Sequence, residues 1–154
     1  MQALILFSHG SLLCGGAYMV HSHAAIIAAK EDYCAVEVGF INYNHPSFTE
    51  AIDRCKMRGA SQIVVIPYLL SPGKFYSRDF SLQMTDARRV NPDVEFIVGE
   101  PIGYDKSMAE MILMLTQQGM PEEKWRDNVT HSLQSCKGSP VCPLYGTIGC
   151  PILG

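Results

Sequence analysis

The stretch Gln2-Ala3-Leu4-Ile5-Leu6-Phe7-Ser8-His9-Gly10-Ser11 joins a short apolar run to an abrupt polar end. An apolar run that stops at a glycine-containing turn is typical of a β-strand covered on both faces, as in a parallel sheet. In open α/β sheets, ligands bind in the crevice at the carboxyl ends of the strands. The stretch therefore predicts a buried first strand that carries His9 to a ligand-binding edge. The alternative is that His9 is a structural histidine in a β-to-α turn.

Length and composition limit the classes of protein to consider. The chain has 154 residues, of which 47% are hydrophobic and 18% charged, with a net charge of -3. These values are ordinary for one soluble globular domain. The chain lacks the excess of basic residues that would indicate a nucleic-acid partner. The longest apolar run, residues 63–70, contains Pro67 and is far shorter than the roughly 20 residues of a membrane-spanning helix. We expect neither a nucleic-acid partner nor a membrane span.

The N-terminus and the cysteines bear on the compartment. The chain enters its first strand at once, without the basic segment, apolar region and small-residue cleavage site of an export signal. We therefore expect a cytoplasmic protein. In a reducing compartment, the six cysteines are expected to act as thiols or metal ligands where they cluster, rather than as disulfides.

Strand and helix patterns alternate along the first 120 residues. After the first strand, the predicted strands are residues 36–41, 62–70 and 94–98, and the predicted helices are residues 17–30, 47–59, 78–90 and 105–118. Ser47 and Glu50 form a capping-box sequence at the start of the second helix. Such alternation with short connections implies parallel strands joined by right-handed crossovers. We predict an α/β fold, a three-layer αβα sandwich with a parallel sheet over residues 1–120, and a C-terminal helix and Cys-rich tail packed on it over residues 121–154.

The tail carries three cysteines in a Gly- and Pro-rich context. Cys136, Cys142 and Cys150 are six and eight residues apart. Several thiolates on a loop whose backbone can approach the sulfurs are what a metal cluster requires. The spacing differs from the CxxC pattern of zinc sites, which favours an iron-sulfur cluster over zinc.

A fourth ligand for the cluster is expected from the α/β part of the chain. Cys14 follows the first strand at the same edge as His9. Cys34 precedes the second strand at the opposite edge, and Cys55 lies on a buried helical stripe, so both are expected to be small packing residues. The predicted ligands of a [4Fe-4S] cluster are therefore Cys14, Cys136, Cys142 and Cys150.

Four strings of sequence, each weak alone, occur together in one order. They are LILFSHGS at residues 4–11, VGFINYNHPS at 38–47, IVVIPYLLSPG at 63–73 with Arg78-Asp79, and GEPIG at 99–103. Together they resemble the small sirohydrochlorin cobalto- and ferrochelatases of the cobalamin and sirohaem pathways, over about residues 1–119. The resemblance implies a flavodoxin-like chelatase half-domain, a homodimer, and insertion of cobalt, ferrous iron or nickel into sirohydrochlorin or a related tetrapyrrole. Some relatives carry iron-sulfur clusters.

The ligand set that the resemblance implies is only partly present. His9 matches the family's first metal-binding histidine, whereas the family's glutamate corresponds to Asn42 and its second histidine to Phe75. An amide oxygen binds metal only weakly and takes up no proton near neutral pH. A phenylalanine side chain neither binds metal nor takes up a proton. Metal insertion removes two pyrrole protons, which calls for a base with a pKa near 7. We expect His9 to be base and metal ligand, with Asn42 and His45 as further ligands. The alternative for His45 is an exposed structural histidine.

The remaining polar residues near the predicted edge suit a substrate rich in carboxylates. Lys74, Arg78 and the amino end of the third helix offer charge and backbone N–H groups, although an ordinary solvated face is the alternative. His21 and His23, two residues apart on a helix, point to different faces and cannot bind one metal ion together. The predicted substrate-binding residues are Ser11, Ser71, Lys74 and Arg78.

Two classes of function follow. The first is an enzyme that inserts a divalent metal into a tetrapyrrole, with His9 as base and ligand and an accessory cluster in the tail. The second is a tetrapyrrole-binding protein, or a redox or sensor protein, on a chelatase scaffold. His9 favours the first, and Asn42 and Phe75 favour the second.

Overall fold

The computed structural model describes residues 1–11, 17–71 and 73–124. Within these ranges the strands are β1 (Gln2–Ser8), β2 (Val36–Phe40), β3 (Gln62–Pro67) and β4 (Glu95–Val98). The helices are α1 (Tyr18–Ala28), α2 (Phe48–Met57), α3 (Ser81–Val90) and α4 (Ser107–Gln118). A π-helical segment over Phe75–Phe80 runs directly into α3, and a 3₁₀ turn over Ile102–Tyr104 precedes α4.

The strands form one parallel sheet in the order β2-β1-β3-β4. Strand β1 is central, and its register aligns Leu6 with Val38 of β2 and with Ile66 of β3. Residues 3–7 are all buried, which explains why this strand is continuously apolar rather than alternating. The predicted α/β class and parallel sheet are confirmed.

Each face of the sheet packs against helices. Helices α2 and α3 cover one face, where Phe7 contacts the rings of Phe48 and Phe80 at centroid distances of 4.3 and 5.1 Å. Helix α1 lies on the other face, where Val20 and Ala24 pack on β1 and β2. The predicted three layers are therefore present.

The second face is only half covered. The β3 and β4 side chains that point to the α1 side are Val64, Ile66 and Ile97, and Ile97 is 39% exposed. Helix α4 has no buried residue, and residues 111–115, all apolar, are 44–63% exposed. Among the residues that the structure describes, no element packs over this apolar half-sheet or over the apolar side of α4.

Two helix starts differ from the predicted ones for local reasons. The third helix was predicted from residue 78, but the π-helical segment comes first and α3 begins at Ser81. The Asp105 cap is present, since its Oδ1 accepts from the Ser107 amide at 2.7 Å, and α4 begins at Ser107 rather than at the cap. The capping box of α2 is confirmed, since Glu50 and Ser47 each accept from the other's backbone amide.

The predicted C-terminal helix and Cys-rich tail over residues 121–154 lie almost entirely beyond residue 124, outside the described residues. No helix in the described ranges is both long and apolar enough to cross a membrane.

Candidate active site at the carboxyl edge of the sheet

The turn after β1 is fixed by the loop after β2. The amide of Ile41 donates to the Ser8 carbonyl at 2.9 Å, and the amide of Asn42 donates to the His9 carbonyl at 3.1 Å. The Asn44 side-chain oxygen accepts from the Ser11 amide at 2.7 Å. His9 therefore sits in a turn that is tied down on both sides.

Gly10 is required in this turn. Its φ is +86°, which side chains rarely adopt, and an added Cβ would lie 2.0 Å from the Asn42 carbonyl oxygen. The two loops approach so closely that only glycine fits between them.

The His9 ring has one satisfied nitrogen and one unsatisfied nitrogen. Nδ1 lies 3.0 Å from the Gly10 carbonyl oxygen, which can only accept, so Nδ1 carries the hydrogen. In the neutral ring, the lone pair is then on Nε2. That atom is buried and has no hydrogen-bond partner among the described residues. An orphaned imidazole lone pair at a ligand-binding edge can bind a divalent ion or take up a proton.

Two aromatic rings stand against His9. The Phe75 ring lies 4.0 Å from the His9 ring and the Tyr43 ring 5.9 Å from it, both at 65°. Both aromatic residues are 44% exposed, and Tyr43 has a φ of +66°. Phe75 thus stands next to His9, at the place where the resemblance implies a second metal-binding histidine.

The segment that carries Phe75 also carries charge. Arg78 donates from Nε to Asp79 Oδ1 at 2.7 Å and from Nη2 to Oδ2 at 3.3 Å. These hydrogen bonds lower the pKa of Asp79 below its usual value, and the nearby His9 acts in the same direction. Asp79 therefore stays ionised close to His9. Arg78 is held by Asp79, while Lys74 is exposed.

The further predicted ligands lie near the turn but do not complete a metal site. Asn42 is exposed, and its backbone binds the His9 carbonyl. The His45 side chain is 83% exposed, and its Nδ1 lies 3.0 Å from Glu50 Oε2. Hydrogen bonds from His45 and then Ser47 lower the pKa of Glu50 to about 2. In the described ranges, no three His, Cys, Asp or Glu side chains are placed to hold a metal ion.

The two other histidines of the described ranges have separate surroundings. The His21 ring lies 5.6 Å from Phe40, whereas His23 Nδ1 lies 2.7 Å from the Tyr68 hydroxyl. The prediction that they do not act together is confirmed.

The predicted cluster ligands, Cys14 and the three tail cysteines, lie outside the described residues. Of the remaining two cysteines, Cys55 is fully buried, and burial raises the pKa of its thiol to about 12. Cys34 packs against the core beside β2, and its amide donates to the Gln2 carbonyl at the amino edge of the sheet. The packing role predicted for both is confirmed.

The predicted substrate-binding residues lie at the carboxyl edge. Ser11 is held by Asn44, Ser71 is exposed in the loop after β3, and Lys74 and Arg78 follow it. Asn44, Tyr43 and Asp79 also lie beside the His9 turn, and none of them was predicted from the sequence to do so. The only available signal was their place in strings that follow a strand.

Comparison with known proteins is consistent with this geometry. The family model described as CbiX matches residues 3–119. The chain is 31% identical over 123 residues to the sirohydrochlorin cobaltochelatase of Sulfolobus acidocaldarius, and the match covers 80% of this chain and 96% of that protein. It is 30% identical over 112 residues to the sirohydrochlorin cobaltochelatase of Sulfurisphaera tokodaii, covering 73% of this chain and 88% of that protein.

A solved structure has the same fold. The sirohydrochlorin chelatase SirB of Bacillus subtilis subspecies spizizenii, in complex with cobalt, matches with a TM-score of 0.69 and 20% identity. The match covers 87% of this chain and 62% of that one.

Proposed function

The chain belongs to the CbiX family, and on that premise we propose that it is a chelatase that inserts a divalent metal into sirohydrochlorin or a related tetrapyrrole. The metal, as a substrate, is cobalt, ferrous iron or nickel. The observation that supports this most directly is the orphaned Nε2 of His9 at the carboxyl edge of the sheet.

The chemistry requires one divalent ion to replace two pyrrole protons. His9 Nε2 can bind the incoming ion, and once the ion passes to the macrocycle nitrogens the same lone pair can accept one pyrrole proton. The second proton leaves to solvent. The Gly10 carbonyl keeps the hydrogen on Nδ1, so Nε2 remains the reactive nitrogen throughout.

The charges around His9 suit the substrate. Asp79 is an anion near His9 and stabilises any positive charge that the ring acquires. Lys74 and Arg78 offer cations to the carboxylates of the macrocycle. Ser11 and Ser71 complete the proposed substrate-binding set. Asn42 and His45 remain proposed as additional metal ligands, and His45 would bind through Nε2 while its Nδ1 keeps the contact with Glu50.

The test is a metal-insertion assay, carried out under nitrogen and monitored by absorption spectroscopy. Wild-type protein with sirohydrochlorin and Co²⁺ or Fe²⁺ is expected to give the spectrum of the metallated product faster than buffer does. His9→Ala is expected to lose this acceleration, because it removes base and ligand together, while His21→Ala on α1 serves as the matched control. Equal rates for wild type and His9→Ala would contradict the proposal.

We also propose that the chelatase is a homodimer in which α4 is exchanged. The stripe Met108, Met111, Ile112 and Leu115 has the spacing of a buried helix face, yet none of these four residues is buried by the part of the chain that the structure describes. The uncovered half-sheet at Val64, Ile66 and Ile97 is an apolar surface that such a helix fits. If two copies exchange α4, the helix of each copy covers the apolar half-sheet of the other. The result is a closed dimer with two-fold symmetry.

Light scattering at micromolar concentration tests the dimer. Ile112→Glu and Ile97→Glu each place a charge in the proposed interface and are expected to give monomers. Leu82→Glu is the control, because Leu82 is at least as exposed as the two test residues but lies on α3, on the other face. A wild-type monomer would contradict the dimer and leave the chelatase proposal standing.

A [4Fe-4S] cluster on Cys14, Cys136, Cys142 and Cys150 is the third part of the proposal. The chain has six cysteines, and the packing of Cys34 and Cys55 leaves these four. When bound, such a cluster supplies electron transfer or oxidant sensing. Protein purified under nitrogen is expected to be brown with about four irons per chain. Cys136→Ser should remove the brown colour, whereas Cys34→Ser should not.

A second candidate function is tetrapyrrole binding or redox sensing without metal insertion. The lack of a three-residue ligand cluster in the described ranges favours it. Tight binding of sirohydrochlorin, with no faster metallation by any of the three metals, would establish this second function instead. For either function, the cytoplasmic location remains a prediction from the sequence.

A further inference from the structure

Two half-exposed aromatic residues lie beside the His9 imidazole, Tyr43 in the loop after β2 and Phe75 at the start of the π-helical segment. We propose that Tyr43 and Phe75 form an aromatic frame on which the flat, conjugated macrocycle stacks, so that its central nitrogens face His9. This inference rests on the proposed function. It assigns a binding role to two residues that the ligand and charge patterns leave out.

The backbone of Tyr43 is the first observation. Its φ of +66° lies in the left-handed region, which is uncommon for a residue with a bulky side chain and costs free energy. Burial does not compensate, since the residue is 44% exposed. Strained residues that a fold does not need for packing cluster at ligand sites. Asparagine or glycine would suit this backbone better, so the ring itself has a role.

The position of Phe75 is the second observation. It begins a π-helical segment, a rare conformation that is frequent at functional sites. Part of its ring covers His9 at a centroid distance of 4.0 Å, and 44% of the residue is exposed. An exposed phenylalanine beside a polar turn contributes little to the core. It does provide a flat apolar surface next to the proposed metal-transfer nitrogen.

The surroundings of the rings select the class of ligand. Aromatic rings stack against flat conjugated systems in offset or edge-to-face arrangements. Lys74 directly precedes Phe75 and, like His9, lies close enough to Asp79 to act on it, while Arg78, three residues after Phe75, is paired with Asp79; the segment that carries the ring therefore also carries cations. Aromatic faces next to cations match a flat macrocycle with peripheral carboxylates. A simple anion would not need the rings, and an apolar ligand would not need the cations.

Binding without metal tests the frame separately from catalysis. The dissociation constant of metal-free sirohydrochlorin is measured by absorption titration under nitrogen for wild type, Phe75→Leu and Tyr43→Asn. Loss of each ring is expected to weaken binding roughly two- to tenfold, the range of measured aromatic-pair energies. The ring-retaining variants Phe75→Tyr and Tyr43→Phe are expected to bind as wild type does. Met57→Ala is the control, since Met57 is exposed at the far end of α2.

Tyr43→Asn separates a binding role from a structural one. Asparagine tolerates the left-handed region, so the variant is expected to unfold at the same or a higher temperature than wild type while it binds sirohydrochlorin more weakly. A structural role for the ring predicts a lower unfolding temperature instead, and that result would overturn the assignment of Tyr43.

The failures of the two proposals are distinguishable. If wild type binds and metallates sirohydrochlorin but Phe75→Leu and Tyr43→Asn bind it equally well, the aromatic frame is wrong and the chelatase proposal stands. If wild type does not bind sirohydrochlorin at all, both are wrong.

Discussion

The Ser11 amide donates a hydrogen bond of 2.7 Å to the side-chain oxygen of Asn44, a residue 33 positions further along the chain. Together with the two backbone bonds from Ile41 and Asn42, it ties the turn that holds His9 to the loop that holds Tyr43. The proposed base and one of the proposed stacking rings therefore move as one unit.

Asn44→Ala is expected to loosen this unit. The partly buried Ser11 amide would lose its acceptor, which costs about 1–2 kcal/mol of unfolding free energy. Denaturant unfolding measures this cost, and the metal-insertion rate is expected to fall because His9 is less well positioned. Asn44→Asp keeps an acceptor oxygen and should recover most of both quantities. If Asn44→Ala kept wild-type stability and rate, the hydrogen bond would have no role in positioning.

Phe75→His is expected to strengthen metal binding. The replaced ring lies 4.0 Å from His9, so two imidazoles would be close enough to bind one ion. Loss of an outer-shell partner alone costs about 10–100-fold in metal affinity, so a second imidazole should tighten Co²⁺ binding at least about tenfold. Calorimetric titration with Co²⁺ measures the change. The double variant Phe75→His, His9→Ala should return to weak binding; unchanged affinity in the single variant would place the metal away from His9.

Gly10→Ala is expected to destabilise the fold far more than Gly73→Ala. Both glycines have positive φ, but a Cβ at Gly10 meets the Asn42 carbonyl oxygen at 2.0 Å, whereas a Cβ at Gly73 meets no described atom within 4 Å. Backbone strain plus the clash is expected to cost roughly 3 kcal/mol at Gly10, and strain alone about 1 kcal/mol at Gly73. Chemical denaturation of both variants gives the comparison. Equal losses would mean that the loops separate easily.

The Glu50 carboxylate makes the free energy of unfolding depend on pH in the acidic range. Its pKa is lowered from 4.5 in the reference state to about 2 in the fold, first by the His45 hydrogen bond and then by Ser47. Because the folded pKa is the lower one, its contribution is fully present above pH 4.5 and is lost as the pH falls through about 2. Unfolding free energies are measured at about pH 6, 4 and 2.5, which span this window. They should fall more steeply with decreasing pH for wild type than for Glu50→Gln. Parallel curves would show that the cap does not contribute.

The central features of the fold could be predicted because they depend on local pattern. The continuous apolar run of β1 required cover on both faces, and the Ser47–Glu50 capping box required a helix start. The position of His9 followed from the strand that ends before it. Each of these depends on residues within a few positions of one another.

Other features depend on contacts that the local pattern does not contain. The role of Asn44 arises from a contact across 33 positions, and the local spacing that predicted a third helix does not indicate the π-helical segment before it. The apolar stripe of α4 has the spacing of a buried helix face, but that spacing does not say what would cover it. The tail cysteines could be grouped by spacing, but their convergence depends on residues outside the described ranges.

The π-helical segment over Phe75–Phe80 has a consequence for comparing relatives. A π turn holds about one residue more than an α turn, so inserting or deleting one residue rotates the side chains before it by a large fraction of a turn, about 100° in an α-helix. Because Phe80 is anchored in the core, the length of this segment affects which side chain lies beside His9. A one-residue deletion there would turn Phe75 aside and bring a neighbour to the same place. Alignments that open a gap between positions 75 and 80 will therefore pair residues with different partners, even where the flanking sequences agree.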